Sequence, residues 1–256
     1  MIPKIIHLCW LSGDSYPEKI QKCINSWKKE LPDYEIWLWN IERFNVESTI
    51  WTKQAFVKKK YAFAADYIRL YALYNYGGIY LDSDVFVYKS FNELLDLPYF
   101  IGQDYERSFE AAVIGAEKGC EWIGKILEYY NGRSFILPDG SLDMTPLPQI
   151  FFKQLKNCYS FVRLHKIVHY ANSENQFYVY DKDFFNSRNS CASRRTKKSF
   201  CTHNYAGAWL TRKGVKSKIK RTIPKWLLNM YLTICHKTFK RNALGQFEPK
   251  IEQEIW

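Results

Sequence analysis

Along the first forty residues the apolar positions change period twice. "KIIHLCWL" (4–11) is a nearly continuous apolar run, as expected of a short buried strand. In "SYPEKIQKCINSWKKELP" the residues Ile20, Cys23, Ile24 and Trp27 recur at helical spacing, and Pro32 closes the segment. "YEIWLWN" (34–40) then alternates and reads as a second strand. Strand, helix and strand in that order predict an α/β domain with a mostly parallel central sheet.

The same reading continues downstream. "WTKQAFVKKKYAFAADYIRLYALYNYGG" (51–78) predicts one or two helices, with Ala62, Ala65, Ile68 and Ala72 on the buried side. The Gly77-Gly78 pair is a fitting stop, because glycine tolerates the left-handed conformation that ends helices. "IYLDSDVFVY" (79–88) is expected to be a strand that breaks at its carboxylates, with "YFIGQDY" (99–105) and "EAAVIGAEKG" (110–119) as further strands. "CEWIGKILEYYNG" (120–132) reads as a helix, and the turn-rich "LPDGSLDMTPLPQ" (137–149) as a loop over one sheet edge. "NSRNSCASRRTKKSF" (186–200) lacks apolar period and reads as a loop. In 215–241, Ile219, Ile223, Trp226, Leu227, Met230, Tyr231 and Ile234 fall at helical spacing, with a kink or restart at Pro224. The expected organisation is one domain over 1–212 and a basic amphipathic helical extension over 213–256.

Composition adds a core and a charge asymmetry. Of the 256 residues 47% are hydrophobic and 18% aromatic, enough for a sizeable core and incompatible with a disordered chain. The net charge of +11 is uneven, since no Asp or Glu occurs between Asp183 and Glu248. Such a segment seeks phosphates on nucleic acid, anionic lipid or substrate. For 215–241 two readings stand: a helix packed on the domain, or an interfacial helix on an anionic membrane surface with Trp226 and Tyr231 at headgroup level. Seven cysteines without a CxxC pair favour reduced thiols. Cys191, Cys201 and His203 fit no common zinc spacing. The N-terminus lacks the pattern of a signal peptide, and the longest apolar run (226–235) is about half of a membrane span. The expected location is cytoplasmic, with peripheral contact at the inner face of the cytoplasmic membrane.

The chemistry concentrates in "GGIYLDSDVF" (77–86), where Asp82 and Asp84 stand two residues apart. Paired carboxylates repel each other, so they either open a solvated loop or hold a divalent cation such as Mg²⁺ or Mn²⁺. In a strand both would point to one face. A crevice at the carboxyl end of a strand is where an open α/β sheet binds ligands. Upstream, Asp66 and Arg69 are three apart on one helical face, as an ion pair or as cleft residues. Trp10 reads as core by default, Tyr80 as strand packing, and His7 as a satisfied buried histidine.

The stretch "YAFAADYIRLYALYNYGGIYLDSD" resembles the signature of the DXD-containing, sugar-binding-region glycosyltransferases, family 32. This family includes the glucosyltransferase domains of large clostridial toxins and yeast outer-chain mannosyltransferases. "IPKIIHLCW" resembles its opening strand, "AAVIGAEKG" its N-A-x-I-G-A-x-K-G block, and "HNYAGAW" its closing H-x-x-x-x-S-W. The resemblance implies a GT-A-type, Rossmann-like nucleotide-sugar-binding domain. It implies a metal-dependent, retaining transfer from a nucleotide-diphosphate sugar, UDP-linked by preference, to a saccharide or lipid-linked acceptor; the compact size and lack of a targeting segment make bacterial capsular or lipopolysaccharide synthesis the expected setting. Trp10 would stack on the base, Asp66 and Arg69 would hold the donor sugar and diphosphate, and Tyr80 would line the pocket. Asp82 would contact the ribose and the metal's water shell, and Asp84 would bind the Mn²⁺ or Mg²⁺ directly. His203 would be a metal or diphosphate ligand and Trp209 would close over the diphosphate. Ala65, Ala112 and Ala208 stand where the family has serine, asparagine and serine. Two other functions remain open: a haloacid-dehalogenase-like phosphatase, which carries D-x-D after its first strand, and a basic membrane- or nucleic-acid-binding module.

Overall fold

The first apolar run forms β1 (Ile5–Cys9), followed by α1 (Glu18–Glu30) and β2 (Glu35–Trp39). These lie in a computed structural model that describes residues 1–104, 108–187 and 195–205. Ile20, Cys23, Ile24 and Trp27 of α1 are all buried, so the helical spacing does mark the core face. The stretch after it gives two helices, α2 (Ile50–Val57) and α3 (Tyr61–Tyr76), and α3 stops at Gly77 with φ +67°. Gly78 has φ +108°, and a Cβ there would stand 2.7 Å from the Ile5 carbonyl oxygen, so the pair lets the chain enter the sheet beside β1. On α3, Ile68 and Ala72 are buried, whereas Ala62 and Ala65 are only partly covered.

Then come β3 (Gly78–Leu81), β4 (Val85–Val87), β5 (Tyr99–Gln103), β6 (Phe109–Ala116), α4 (Glu121–Glu128) and α5 (Leu147–Leu155). They are followed by β7 (Ser160–Leu164), β8 (Gln176–Tyr180), α6 (Lys182–Phe185) and β9 (Cys201–His203). The expected loop over 137–149 is cut short, because Leu147 to Gln149 open α5 and Leu147 is buried. Strands β7, at the sheet edge, and β8 beside it were not anticipated from the sequence; both carry polar residues, Ser160 and Arg163 on β7 and Gln176 on β8, that break the apolar pattern.

Seven strands form the main sheet in the order β2-β1-β3-β6-β5-β8-β7. The β1–β2, β1–β3, β5–β8 and β7–β8 pairs are parallel, and only β6 runs against its neighbours β3 and β5. One core includes α2, α3, α4 and α5 residues such as Trp51, Ile68, Ile123 and Phe151. The opposite core includes Ile24 and Trp27 of α1, Phe184 of α6, and Phe91 and Phe200. β4 and β9 leave the main sheet and pair with each other. α1 anchors β4: Trp27 Nε1–H donates to the Val85 carbonyl (2.7 Å), and the Val87 amide donates to Ser26 Oγ (2.9 Å).

His7 is fully buried and satisfied, as its bland reading expected. Its Nε2 meets the Gly77 carbonyl at 2.6 Å, and Trp39 Nε1–H donates to its Nδ1 at 3.0 Å. No described helix is long and apolar enough to cross a membrane. Ala208, Trp209, the boundary at 212 and the helix expected over 215–241 lie outside the described residues.

Candidate functional site

Asp82 and Asp84 do not share a strand face. β3 ends at Leu81, and the Val85 amide donates back to the Asp82 carbonyl (2.9 Å), closing a tight turn before β4 begins. The turn forms because the chain leaves the main sheet there for the small β4–β9 sheet, which a continuous strand could not do. Val85 pairs with His203 in that sheet, and the Asp84 carbonyl accepts from the Asn204 amide (3.1 Å) and side chain (2.9 Å). The turn and β9 together bring His203 Nε2 to 3.3 Å from Asp84 Oδ1. One ligand atom from each of Asp82, Asp84 and His203 lies within 4.8 Å of the others. Two carboxylates and an imidazole so gathered are a donor set that can hold a divalent metal ion.

Arg69 lies behind this turn, 5% exposed. Its Nη2 is 2.8 Å from Asp66 and its Nη1 is 3.3 Å from Asp82, while Nη1–H also donates to the Ala111 carbonyl at 2.7 Å. The guanidinium sits 4.5 Å over the Tyr80 ring, and the Tyr80 hydroxyl donates to Asp82 Oδ1 at 3.0 Å. Both Nη groups thus bond inside the protein, and Arg69 orients Asp66 and Asp82. Tyr80 is buried and reaches the site through its hydroxyl rather than as pocket wall. Burial, reinforced by Asp82 and partly offset by Arg69, raises the Asp66 carboxyl to about 6. Burial likewise raises the nearby Cys9 thiol to about 12, which makes it inert.

Sequence reasoning missed Glu110, on β6. It is 4% exposed, and its Oε1 lies 3.0 Å from His203 Nδ1. The only sequence signal was a lone carboxylate at the head of an apolar strand. Burial alone would push the His203 imidazole down, but Glu110 and Asp84 outweigh it and hold it at about 10.

Trp10 follows β1 at the same end of the sheet as Asp82. It is partly exposed, meets Tyr16 edge-on at 5.0 Å between ring centres, and donates from Nε1 to the Asp14 carbonyl (2.7 Å). It packs against the α1-side core, as its default reading expected, but is only partly buried. Ala65 precedes Asp66 on α3. Aligning "AAVIGAEKG" with the family block puts the asparagine's place at Ala111, not Ala112; Ala112 is buried against the opposite core, whereas the Ala111 carbonyl meets Arg69. Cys201 is buried with its Sγ near the Phe185 carbonyl (3.3 Å), while His203 faces the carboxylates.

β1, β2 and β3 place Trp10 and Asp82 where strand order reverses around β1, the usual ligand crevice of an open α/β sheet. One antiparallel strand and a carboxylate turn leading into a second small sheet are the layout expected of the GT-A-type domain that the sequence resembles. Residues 17–101 match the family described as glycosyltransferase sugar-binding region containing DXD motif. The motif follows β3 rather than the first strand, against the phosphatase pattern.

Inositol phosphoceramide mannosyltransferase 3 of Schizosaccharomyces pombe is 34% identical over 130 residues, covering 49% of this chain and 36% of the relative. Mannosyl phosphorylinositol ceramide synthase SUR1 of Saccharomyces cerevisiae is 35% identical over 108 residues, covering 40% and 27%. The chain thus spans about a third of the length of the curated relatives it matches. Among solved structures, PaToxG glycosyltransferase aligns with a TM-score of 0.45 at 23% identity, covering 61% of this chain and 68% of that one. The galactosyltransferase LgtC, solved with donor and acceptor sugar analogs, aligns at 0.42 and 15%, covering 88% and 99%. Likenesses this loose carry no argument about the site.

Proposed function

We propose that this chain transfers a glycosyl group from a nucleotide-diphosphate sugar to an acceptor hydroxyl, with a divalent cation held by Asp82, Asp84 and His203. The observation that carries the reading is the convergence of these three side chains at the carboxyl end of β3, within 4.8 Å. A Mn²⁺ or Mg²⁺ there would act as a Lewis acid on the leaving diphosphate.

The chain's own residues divide the remaining work. Trp10 offers a partly exposed aromatic face for the base. Asp66, held by Arg69, accepts from sugar hydroxyls, and Asp82, held by Tyr80 and Arg69, faces the ribose and the cation. Transfer proceeds with retention, by same-face attack of the acceptor hydroxyl.

The relatives' names speak of mannosyl transfer to inositol phosphoceramide. They favour a mannosyl donor and a lipid-linked acceptor over the UDP-sugar and bacterial surface polysaccharide expected from the sequence. A lipid acceptor also gives the basic stretch 215–241 a role at an anionic membrane surface.

Calorimetry with UDP-, GDP- and CMP-sugars, each with and without Mn²⁺, tests the reading. One diphosphate sugar should bind in a metal-dependent way, and Asp84→Asn should lower turnover about 10²-fold or more while leaving the circular-dichroism spectrum unchanged. Metal-independent binding, or full activity in Asp84→Asn, would remove the metal assignment.

A further inference from the structure

We infer that Glu110 and Tyr205 form a clamp that fixes the His203 imidazole so that Nε2 faces Asp82 and Asp84. The inference rests on the cation reading above and adds two positioning residues to it.

Glu110 is a buried carboxylate on β6, and burying such a group is costly unless its oxygens are satisfied. Both are. Oε2 accepts from the Tyr205 hydroxyl (3.0 Å) and from the Asn186 side chain. Oε1 accepts from the Ala112 amide (3.2 Å) and lies 3.0 Å from His203 Nδ1. These neutral donors come from β6, from the end of α6 and from the residues after β9, so the carboxylate cannot rotate. One lobe is left aimed at the imidazole.

Tyr205 supplies the second jaw. Its backbone has φ +48°, a left-handed conformation uncommon for a tyrosine. That conformation lays its ring on His203, with ring centres 3.9 Å apart and planes at 23°. Strain of this kind persists only where the surroundings hold it, and it clusters at functional sites. Stacking fixes the plane of the imidazole, and the Nδ1–H···Glu110 bond fixes its rotation about that plane. Nε2 is then left toward Asp84, at 3.3 Å. A carboxylate on the far nitrogen of a histidine ligand selects the tautomer and raises the basicity of the ligating nitrogen.

The test uses Mn²⁺ alone, titrated by electron paramagnetic resonance into the full chain and into Glu110→Gln, with thermal melts as the folding control. Glu110→Gln keeps the shape but not the charge, and it should bind Mn²⁺ about 10- to 100-fold more weakly. In the metal-free protein, the slowly exchanging Nδ1–H proton of His203 should be visible by NMR in the wild type and lost in Glu110→Gln. Should Glu110→Gln not fold, Tyr205→Phe carries the test, because it keeps the stack and removes one donor from Glu110; a few-fold weaker Mn²⁺ binding is then expected. Folded variants with wild-type Mn²⁺ affinity and an unchanged Nδ1–H resonance would overturn the clamp while leaving the cation site standing. A wild type that binds no Mn²⁺ would overturn both.

Discussion

Arg69 shows how one nearly buried side chain organises the carboxylates around it. Its fork bridges Asp66 on its own helix, Asp82 at the turn and the Ala111 carbonyl on β6, and its face lies over Tyr80. A surface pair three residues apart is worth a few tenths of a kcal/mol, but a nearly buried one behaves differently. Removing the cation leaves two carboxylates close together with no compensating charge. Arg69→Met should therefore cost about 3 kcal/mol in urea unfolding. Arg69→Lys should recover only part, because an ammonium cannot reproduce the planar fork. A loss below about 1 kcal/mol for Arg69→Met would show that water reaches the carboxylates and screens them.

Elements matter through the way α1 holds β4. The Asp82–Asp84 turn is held by single hydrogen bonds, the Asp82 amide to the Ala112 carbonyl (2.9 Å) and the Asn204 amide to the Asp84 carbonyl (3.1 Å), while β4 fixes it from one side and β9 brings His203 to it. α1 fixes β4 in turn through Trp27 and Ser26. Trp27→Phe keeps most of the buried ring but deletes the Nε1–H donor to the Val85 carbonyl. Denaturant unfolding should show a loss of about 1–3 kcal/mol, the usual cost of an abandoned buried partner. An unchanged midpoint would mean that β9 alone holds β4 in place.

At the scale of the whole molecule, His7 links stability to pH. It lies between the β2 tryptophan Trp39 and the Gly77 carbonyl, and burial pushes its imidazole down to about 4 from 6.5. In the unfolded chain the same group takes a proton near pH 6.5. Below that value the unfolded state binds a proton the folded state refuses, so stability falls as pH drops and stops falling near pH 4. A difference of that size corresponds to about 3 kcal/mol across the window. Asp66, raised to about 6, acts in the opposite direction, so the His7 contribution is read by comparison with a variant. His7→Gln should be less stable than wild type at pH 7, and the gap should narrow by pH 4.5. Parallel unfolding free energies at the two pH values would refute the linkage.

The sequence by itself determined the period of β1, α1, β2, α3 and β6, the glycine stop before β3, and the grouping of Asp66, Arg69, Asp82 and Asp84. Those features are local: hydrophobic period, glycine conformation and residue spacing are written within a dozen positions. The strands β7 and β8 and the start of α5 were not legible, because their mixed or proline-flanked patterns acquire meaning only from the surfaces they cover. Tertiary structure alone decided that the two aspartates sit in a turn, that Arg69 faces inward, and that Glu110 stands behind His203. Ninety-three residues separate that last pair, and a contact of such range comes from β6 and β9 converging beside the turn, which no local pattern encodes.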